Sequence, residues 1–270
     1  MIQIKKAKPF LKWAGGKRAL IPSLSKLIPQ DFNRYFEPFL GGGALFFELN
    51  PSRSILSDVN VELINAYLQI KNNPNDVIRK LKKIRHCKEE YYKIRSQRPK
   101  SVVSRAARFI YLNRTCWNGL YRENKNGEFN VPMGRYINPL ICDSEGLMQA
   151  SKSLKNAQIN SCDFEDILAK AQKKDLIYLD PPYVTGHKNN GFINYNNKIF
   201  KWEDQKRLAS VAMDLKKKGC YVIISNASHE SIDQLYNQFF SIEVSRLSLL
   251  AASSKKRGNV EEKIFTSFKN

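Results

Sequence analysis

The chain has 270 residues, 42% of them hydrophobic, enough for one large domain or for one domain carrying an insertion. Lysine and arginine outnumber the acids 45 to 25, a formal charge of +20 that favours polyanionic partners, nucleic acid above all, and says nothing of fold. No run approaches the roughly 18 apolar residues of a membrane span, residues 1–9 lack the apolar core of a signal peptide, and the five cysteines form no C-x-x-C pair and read as reduced residues of a cytoplasmic protein.

Residues 35–40 read as a short strand, 41–43 as a glycine turn and 44–49 as the opening of a helix. Residues 54–57 read as a second strand ending at Asp58. Asn60 then stands where it can cap a helix whose Val61, Ile64, Asn65 and Leu68 recur at i, i+3, i+4 and i+7. Strand, turn, helix, strand opens an α/β unit with parallel strands. Residues 71–140 change character: 17 lysines and arginines stand against 5 acids, with no strongly alternating apolar strand. Residues 76–108 read as helices with basic faces. Residues 115–136 are rich in Asn, Gly, Arg and aromatics, and Trp117, Tyr121, Phe129 and Tyr136 interleave with basic residues. That pattern stacks on bases and pairs with phosphates; a solvated helical insertion is the plainer alternative. Further on, residues 175–179 suit a buried central strand and lead straight into Asp180-Pro181-Pro182-Tyr183. Leu208, Val211, Ala212 and Leu215 mark a helix closed by Lys216-Lys217-Lys218 and Gly219. Residues 221–224 form another strand ending in Ser225-Asn226. Residues 239–249 and 263–268 form a closing β-hairpin around a basic loop at 253–258.

The turn Phe39-Leu40-Gly41-Gly42-Gly43 lets backbone approach a ligand closely. It does not have the G-x-G-x-x-G spacing of dinucleotide sites, and Gly15-Gly16-Lys17 does not complete a phosphate-binding loop. A nucleotide triphosphatase is disfavoured. Asp58, at the end of the second strand, stands where an acid accepts hydrogen bonds from a ribose diol, or else simply closes the turn before the helix. None of the three histidines, His86, His187 and His229, is spaced to share a metal with another, so no metal is expected. Asp180-Pro181-Pro182-Tyr183 is far more specific: a fixed four-letter word of this kind arises by chance in roughly one chain in a thousand of this length. Its chemistry suits one task. An aromatic exocyclic amine is a poor nucleophile because its lone pair is conjugated with the ring. A carboxylate and a backbone carbonyl can grip both N–H bonds and draw the nitrogen toward tetrahedral geometry. Proline fixes φ and has no N–H, so Pro181 and Pro182 hold their carbonyls in set directions. Tyr183 can stack on a base taken out of its helix.

Four blocks in order carry a resemblance that spans nearly the whole chain: Phe10-Leu11-Lys12-Trp13-Ala14-Gly15-Gly16-Lys17; Phe36-Glu37-Pro38-Phe39-Leu40-Gly41-Gly42-Gly43; Asn113-Arg114 through Asn118-Gly119-Leu120-Tyr121-Arg122 to Gly127-Glu128-Phe129-Asn130-Val131-Pro132-Met133-Gly134-Arg135-Tyr136; and Asp180-Pro181-Pro182-Tyr183. The chain resembles the DNA adenine methyltransferase (Dam) family. The resemblance implies a Rossmann-like class I methyltransferase α/β sheet, seven-stranded and mixed, with an inserted, mainly helical DNA-recognition domain. Residues 1–68 and 150–270 would form the catalytic, S-adenosylmethionine-binding domain, and 69–149 the target-recognition domain. By similarity, Trp13, Lys17, Phe39, Gly41, Asp58, Asp163, Phe164 and Asp180 contact S-adenosylmethionine, Phe39 and Gly41 at its methionine end and Asp163-Phe164 at its adenine ring. Asp180, Pro181, Pro182 and Tyr183 are catalytic. Lys12 and Arg122 read guanines flanking the target, supported by Tyr136; Trp117 wedges into the stack, Asn118 faces the base left behind, and Arg114 belongs to the same DNA-binding block. Trp117, where the family has tyrosine, and Tyr121 depart from the pattern.

The implied reaction is direct transfer of the sulfonium methyl of S-adenosylmethionine to N6 of an extruded adenine in double-stranded DNA, within GATC, without a metal. The sequence does not set the oligomeric state; a monomer on DNA is compatible with it. Three alternatives remain at this point, one of them an N4-cytosine methyltransferase, a group in which serine commonly replaces the aspartate. An RNA or protein-amide methyltransferase shares the cofactor fold but more often resembles the N-P-P-Y form. A non-catalytic DNA-binding protein explains the charge but not Trp13, Lys17 and D-P-P-Y.

Overall fold

Seven stretches of the described chain become strands. They are β1 (Tyr35–Glu37), β2 (Ser54–Ser57), β3 (Ala157–Asn160), β4 (Leu176–Leu179), β5 (Tyr221–Ala227), β6 (Phe240–Leu247) and β7 (Asn259–Thr266). These seven form one sheet in the order β3-β2-β1-β4-β5-β7-β6. β1 pairs in parallel with β2 and β4, and β4 with β5; β7 pairs antiparallel with both β5 and β6. The fold is the mixed, seven-stranded α/β sheet expected of a class I methyltransferase. β1, β2 and β4 are buried at every position, as befits parallel strands covered on both faces. The computed structural model describes residues 6–184, 200–247 and 259–269. The basic loop at 253–258 and residues 248–249 of the expected hairpin lie outside them.

Where element ends differ from the sequence pattern, pairing decides. β1 stops at Glu37, before Pro38, which has no N–H to give a ladder. β5 runs on to Ala227 because Ser225, Asn226 and Ala227 pair with Ile264, Lys263 and Glu262 of β7. Three elements carry little sequence signal: the helix Ser144–Leu154, β3, and the five-residue helix Phe164–Leu168. β3 has four residues with only Ala157 buried, too few to show a period.

The chain divides into two compact units. The first comprises Met1–Arg18, Gly41–Asn50 and Asp58–Ser161. Its helices include Val61–Asn72, Pro74–Leu81, Lys88–Ser96 and Val102–Thr115. Asn60 caps the first of these by accepting from Leu63 N at 3.0 Å, and that helix buries Leu63, Ile64, Tyr67 and Ile70. Pro74 opens the next, where its missing N–H costs nothing. Phe10 packs edge-on against Phe47 and Tyr67. The second unit comprises Ala19–Leu40, Pro51–Ser57 and Cys162–Asn270. Its core joins Phe36, Ile55, Ile177, Leu179, Val222 and Ile224 of the strands to the helix Trp202–Lys217. That helix buries Gln205, Leu208, Ala209, Ala212 and Leu215, one stripe at helical spacing. Gly219 follows it at φ +80°. Among the described residues, no helix is long and apolar enough to cross a membrane.

Candidate active site

In the second unit the strand order reverses between β1 and β4: β2 lies on one side, β5 on the other. Open α/β sheets bind ligands outside the carboxyl ends of strands at such a switch point. Two sequence-predicted groups leave the sheet there, Phe39 after β1 and Asp180-Pro181-Pro182-Tyr183 after β4. Around them is a set of phenols and acids, Tyr35, Tyr178, Glu37 and Glu262 buried and Tyr183 and Asp180 half-buried. Tyr35 Oη donates to Glu37 Oε2 at 2.8 Å, and Tyr183 Oη donates to Glu262 Oε2 at 2.8 Å. Tyr178 Oη lies 3.1 Å from Ser225 Oγ. Burial first, then nearby carboxylates, holds all three phenols well above their usual pKa. Asp180 is among the charges acting on each. The phenols therefore stay protonated, Tyr35 donating to Glu37 and Tyr183 to Glu262, where several acidic side chains gather.

Also in the second unit, Phe39 sits 5.5 Å from Phe164 and 5.7 Å from Phe200, ring centre to ring centre. Arg207 lies over the Phe164 ring at 4.4 Å. It also forks onto Asp163, at 3.1 and 2.9 Å. Asp163 caps the helix Phe164–Leu168 by accepting from Glu165 N at 3.0 Å. Its carboxylate is thus already engaged, and the chemistry this corner offers is an aromatic wall with an ion pair at its rim.

In the first unit the glycine turn is gripped from three sides. Gly41 N donates to Asp58 Oδ2 at 3.1 Å, and Gly41 O accepts from Tyr67 Oη at 3.1 Å. A Cβ at Gly41 would lie 2.6 Å from Trp13 Cδ1, and the backbone there has φ +46°. Only glycine fits. Asp58 accepts from Asn60 N as well, at 2.9 Å, while Asn60 itself caps the helix. Burial raises the Asp58 pKa above the usual carboxylate range, and the hydrogen bonds from Asn60 and Gly41 pull it back in part. Lys17 is buried at 4% exposure.

The same unit ties the Lys12-Trp13 segment to the basic block. Asn113 clamps Lys12 through its side-chain amide, accepting from Lys12 N at 2.8 Å and donating to Lys12 O at 2.7 Å and to Gly119 O at 3.2 Å. Gly119, at φ +64°, lies so close to Lys12 that a Cβ would come within 2.5 Å of the Lys12 Cβ. Lys12 Nζ rests 4.0 Å over the Tyr136 ring. Trp117 is 37% exposed, and Asn118 is exposed with φ +54°. Arg122 is exposed, its Nε donating to Asn130 Oδ1 at 2.8 Å across a small hairpin. Arg114 is half-buried, with its pKa lowered by desolvation. The aromatics of the block do not all face outward, as their interleaving with basic residues suggested. Phe129 is buried, and Tyr121 stacks on Trp13 at 6.0 Å and packs against Phe109 at 5.2 Å. Apolar area at these positions is worth more inside the unit than on a surface.

Residues 13–248 match the family model of the D12 class N6 adenine-specific DNA methyltransferases. The chain belongs to that family. Over 97% of its own length and 96% of the relative's, it is 41% identical to the type II methyltransferase M1.LlaDCHI of Lactococcus lactis subsp. cremoris. It is 38% identical to the type II methyltransferase M.MjaIII of Methanocaldococcus jannaschii, covering 93% of this chain and 95% of that one. It is 36% identical to the DNA adenine methylase of Escherichia coli K12, covering 83% and 82%. The protein is thus an adenine-specific DNA methyltransferase.

Several residues of this methyltransferase had no signal in its sequence. Tyr35 and Glu37 read as strand positions, Glu262 fell just outside the expected strand 263–268, and Arg207 read as one cation on an amphipathic helix. Only pairing of strands distant in sequence makes the two glutamates buried acids. Asn113, inside a helix, could have been suspected from the Asn-Arg pair that opens its block.

Proposed function

We propose that this methyltransferase moves the methyl group of S-adenosylmethionine to N6 of adenine in double-stranded DNA, within GATC, acting inside the cell. One observation carries the reading: D-P-P-Y leaves the buried strand β4 at the switch point, among protonated phenols and buried carboxylates. When bound, S-adenosylmethionine supplies an electrophilic methyl on a positively charged sulfur, so placement is the main task left to the protein. The residues suit that cofactor. The negative set around Asp180 suits a cation. Gly41, held by Asp58, Tyr67 and Trp13, and Phe39 are assigned to the methionine end, and Trp13 and Lys17 to the cofactor as a whole. Asp58, its pKa raised by burial, has acceptor capacity for a ribose diol. Phe164 offers a wall for the adenine ring, with Asp163 held at its rim by Arg207.

Asp180 and the Pro181 carbonyl each accept one N6–H bond of the target adenine and pull its lone pair out of conjugation. Pro182 fixes the turn. Extrusion of the base costs a few kcal/mol of pairing and stacking; the Tyr183 ring returns about 1–3 kcal/mol of it by stacking. Residues 69–149 act as the target-recognition segment. Trp117 fills the space left in the duplex, Asn118 faces the unpaired partner base, and Arg114 stands among the phosphate-side cations. Lys12, steadied over Tyr136, and Arg122, steadied by Asn130, read the flanking guanines, because a cation with two donors matches O6 and N7 of guanine.

The experiment is to map methylated bases in duplexes treated with the purified chain and S-adenosylmethionine. N6-methyladenine confined to GATC supports the whole reading. N6-methyladenine in another context overturns the GATC assignment alone, and methylation of RNA in preference to duplex DNA overturns the substrate.

A further inference from the structure

We infer that Glu262 is a positioning residue for the known reaction: through its hydrogen bond to the Tyr183 hydroxyl it fixes the plane of the ring against which the extruded base rests. The inference builds on the base-clasp reading above. Glu262 lies on β7, and its side chain is 0% exposed. Strand register sets it opposite Ala227 of β5 and Val244 of β6. Pairing on both sides fixes its backbone, and its side chain has no exposed surface. A carboxylate in such a place is costly unless donors meet it, and Tyr183 Oη supplies one at 2.8 Å.

The same bond acts on Tyr183. Its backbone is anchored on either side by buried Pro181 and Val184, so what remains free is rotation about its side-chain torsions. Tying the outer end of the ring to a group fixed in the sheet removes that freedom. The phenol's raised pKa keeps it a donor, and its hydroxyl, committed to Glu262, leaves the ring face rather than the oxygen to meet a base. Stacking alone would be served equally by phenylalanine; the hydroxyl makes sense as the attachment point.

The test compares wild type with Glu262→Ala, Glu262→Gln, Tyr183→Phe and Tyr183→Phe/Glu262→Ala, with 2-aminopurine at the target position as a reporter of the extruded base. Loss of one charge-assisted hydrogen bond predicts that kcat falls about ten-fold in Glu262→Ala and in Tyr183→Phe. KM for the duplex should stay within about two-fold in both. Both variants should raise aminopurine emission as the ring loosens. Glutamine still accepts a hydrogen bond and should recover most of the rate. The double variant should be no slower than the slower of the two single variants by more than about two-fold, because the bond they share is already lost there. Losses that multiply in the double variant overturn the inference, as does a Glu262→Gln variant as slow as Glu262→Ala. If Glu262→Ala does not fold, Tyr183→Phe decides alone: wild-type kcat and emission overturn it. Tyr183→Ala separates the two levels. Normal turnover there sinks the base clasp itself, whereas an inactive Tyr183→Ala beside a normal Tyr183→Phe sinks only the role of Glu262.

Discussion

In the second unit the D-P-P-Y turn follows a strand buried at all four positions, and its tyrosine is tied to a glutamate with no exposed surface. In the first unit Trp117, Asn118 and Arg122 stand out on the surface, and their roots are held: Asn118 and Gly119 by backbone twist and close contact, Arg122 by the hydrogen bond from Asn130 N to its carbonyl at 3.0 Å. Under the proposed function, the contrast follows from what each region must do. Chemistry on an amine needs acceptors held to a fraction of an ångström, which burial and cross-strand bonds provide. Reading a duplex needs side chains that reach out of the protein, so rigidity is supplied at their roots.

That contrast can be broken by unequal effects. Asp180→Ala should cost about a thousand-fold or more in methyl transfer while the duplex Kd moves by only a few fold; single-turnover methylation alongside a binding titration checks both, and near-normal turnover defeats the assignment. Arg122→Ala should leave the chemistry intact and cost about 1–3 kcal/mol of discrimination. It is read as the ratio of kcat/KM for GATC and for duplexes changed at a flanking guanine, and an unchanged ratio removes Arg122 from base reading. Gly119→Ala should cost about 1–3 kcal/mol of stability in a denaturant melt, since it combines a left-handed backbone with a Cβ 2.5 Å from Lys12. Gly127→Ala, at φ +72° with no atom within 4 Å, should cost only the backbone share, about 1–2 kcal/mol. Equal losses at the two glycines would mean that the packing against Lys12 is slack.

The smallest effect concerns pH. Asp58 has its pKa raised by burial. Donors from a bound diol favour the ionised form, so the pKa falls in the complex. S-adenosylmethionine affinity should therefore be full at neutral pH and be lost as pH falls through the raised pKa of the free protein. The decline should begin above the range of an ordinary aspartate. Calorimetry across pH with Asp58→Asn as control measures it. A decline in Asp58→Asn matching that of wild type assigns the dependence to another group.

Runs such as residues 176–179, the helix cap at Asn60 and the D-P-P-Y word were legible in the chain because each expresses a local rule: a period, a hydrogen bond to a near neighbour, a fixed φ. The same holds for the parallel α/β character and for the four blocks that mark the family. Legibility failed where partners lie far apart in sequence. Nothing local distinguishes Glu262 from any polar strand residue, or Arg207 from any helix-surface cation, and Tyr121 and Phe129 carry the same letters whether they meet a base or Trp13. Local order, then, along with the family and the kind of chemistry, was determined by the sequence itself. Which acids are buried, which phenol each one meets and which aromatics remain outside was decided by the tertiary structure alone, since burial and strand register join positions whose separation along the chain carries no information about their contact.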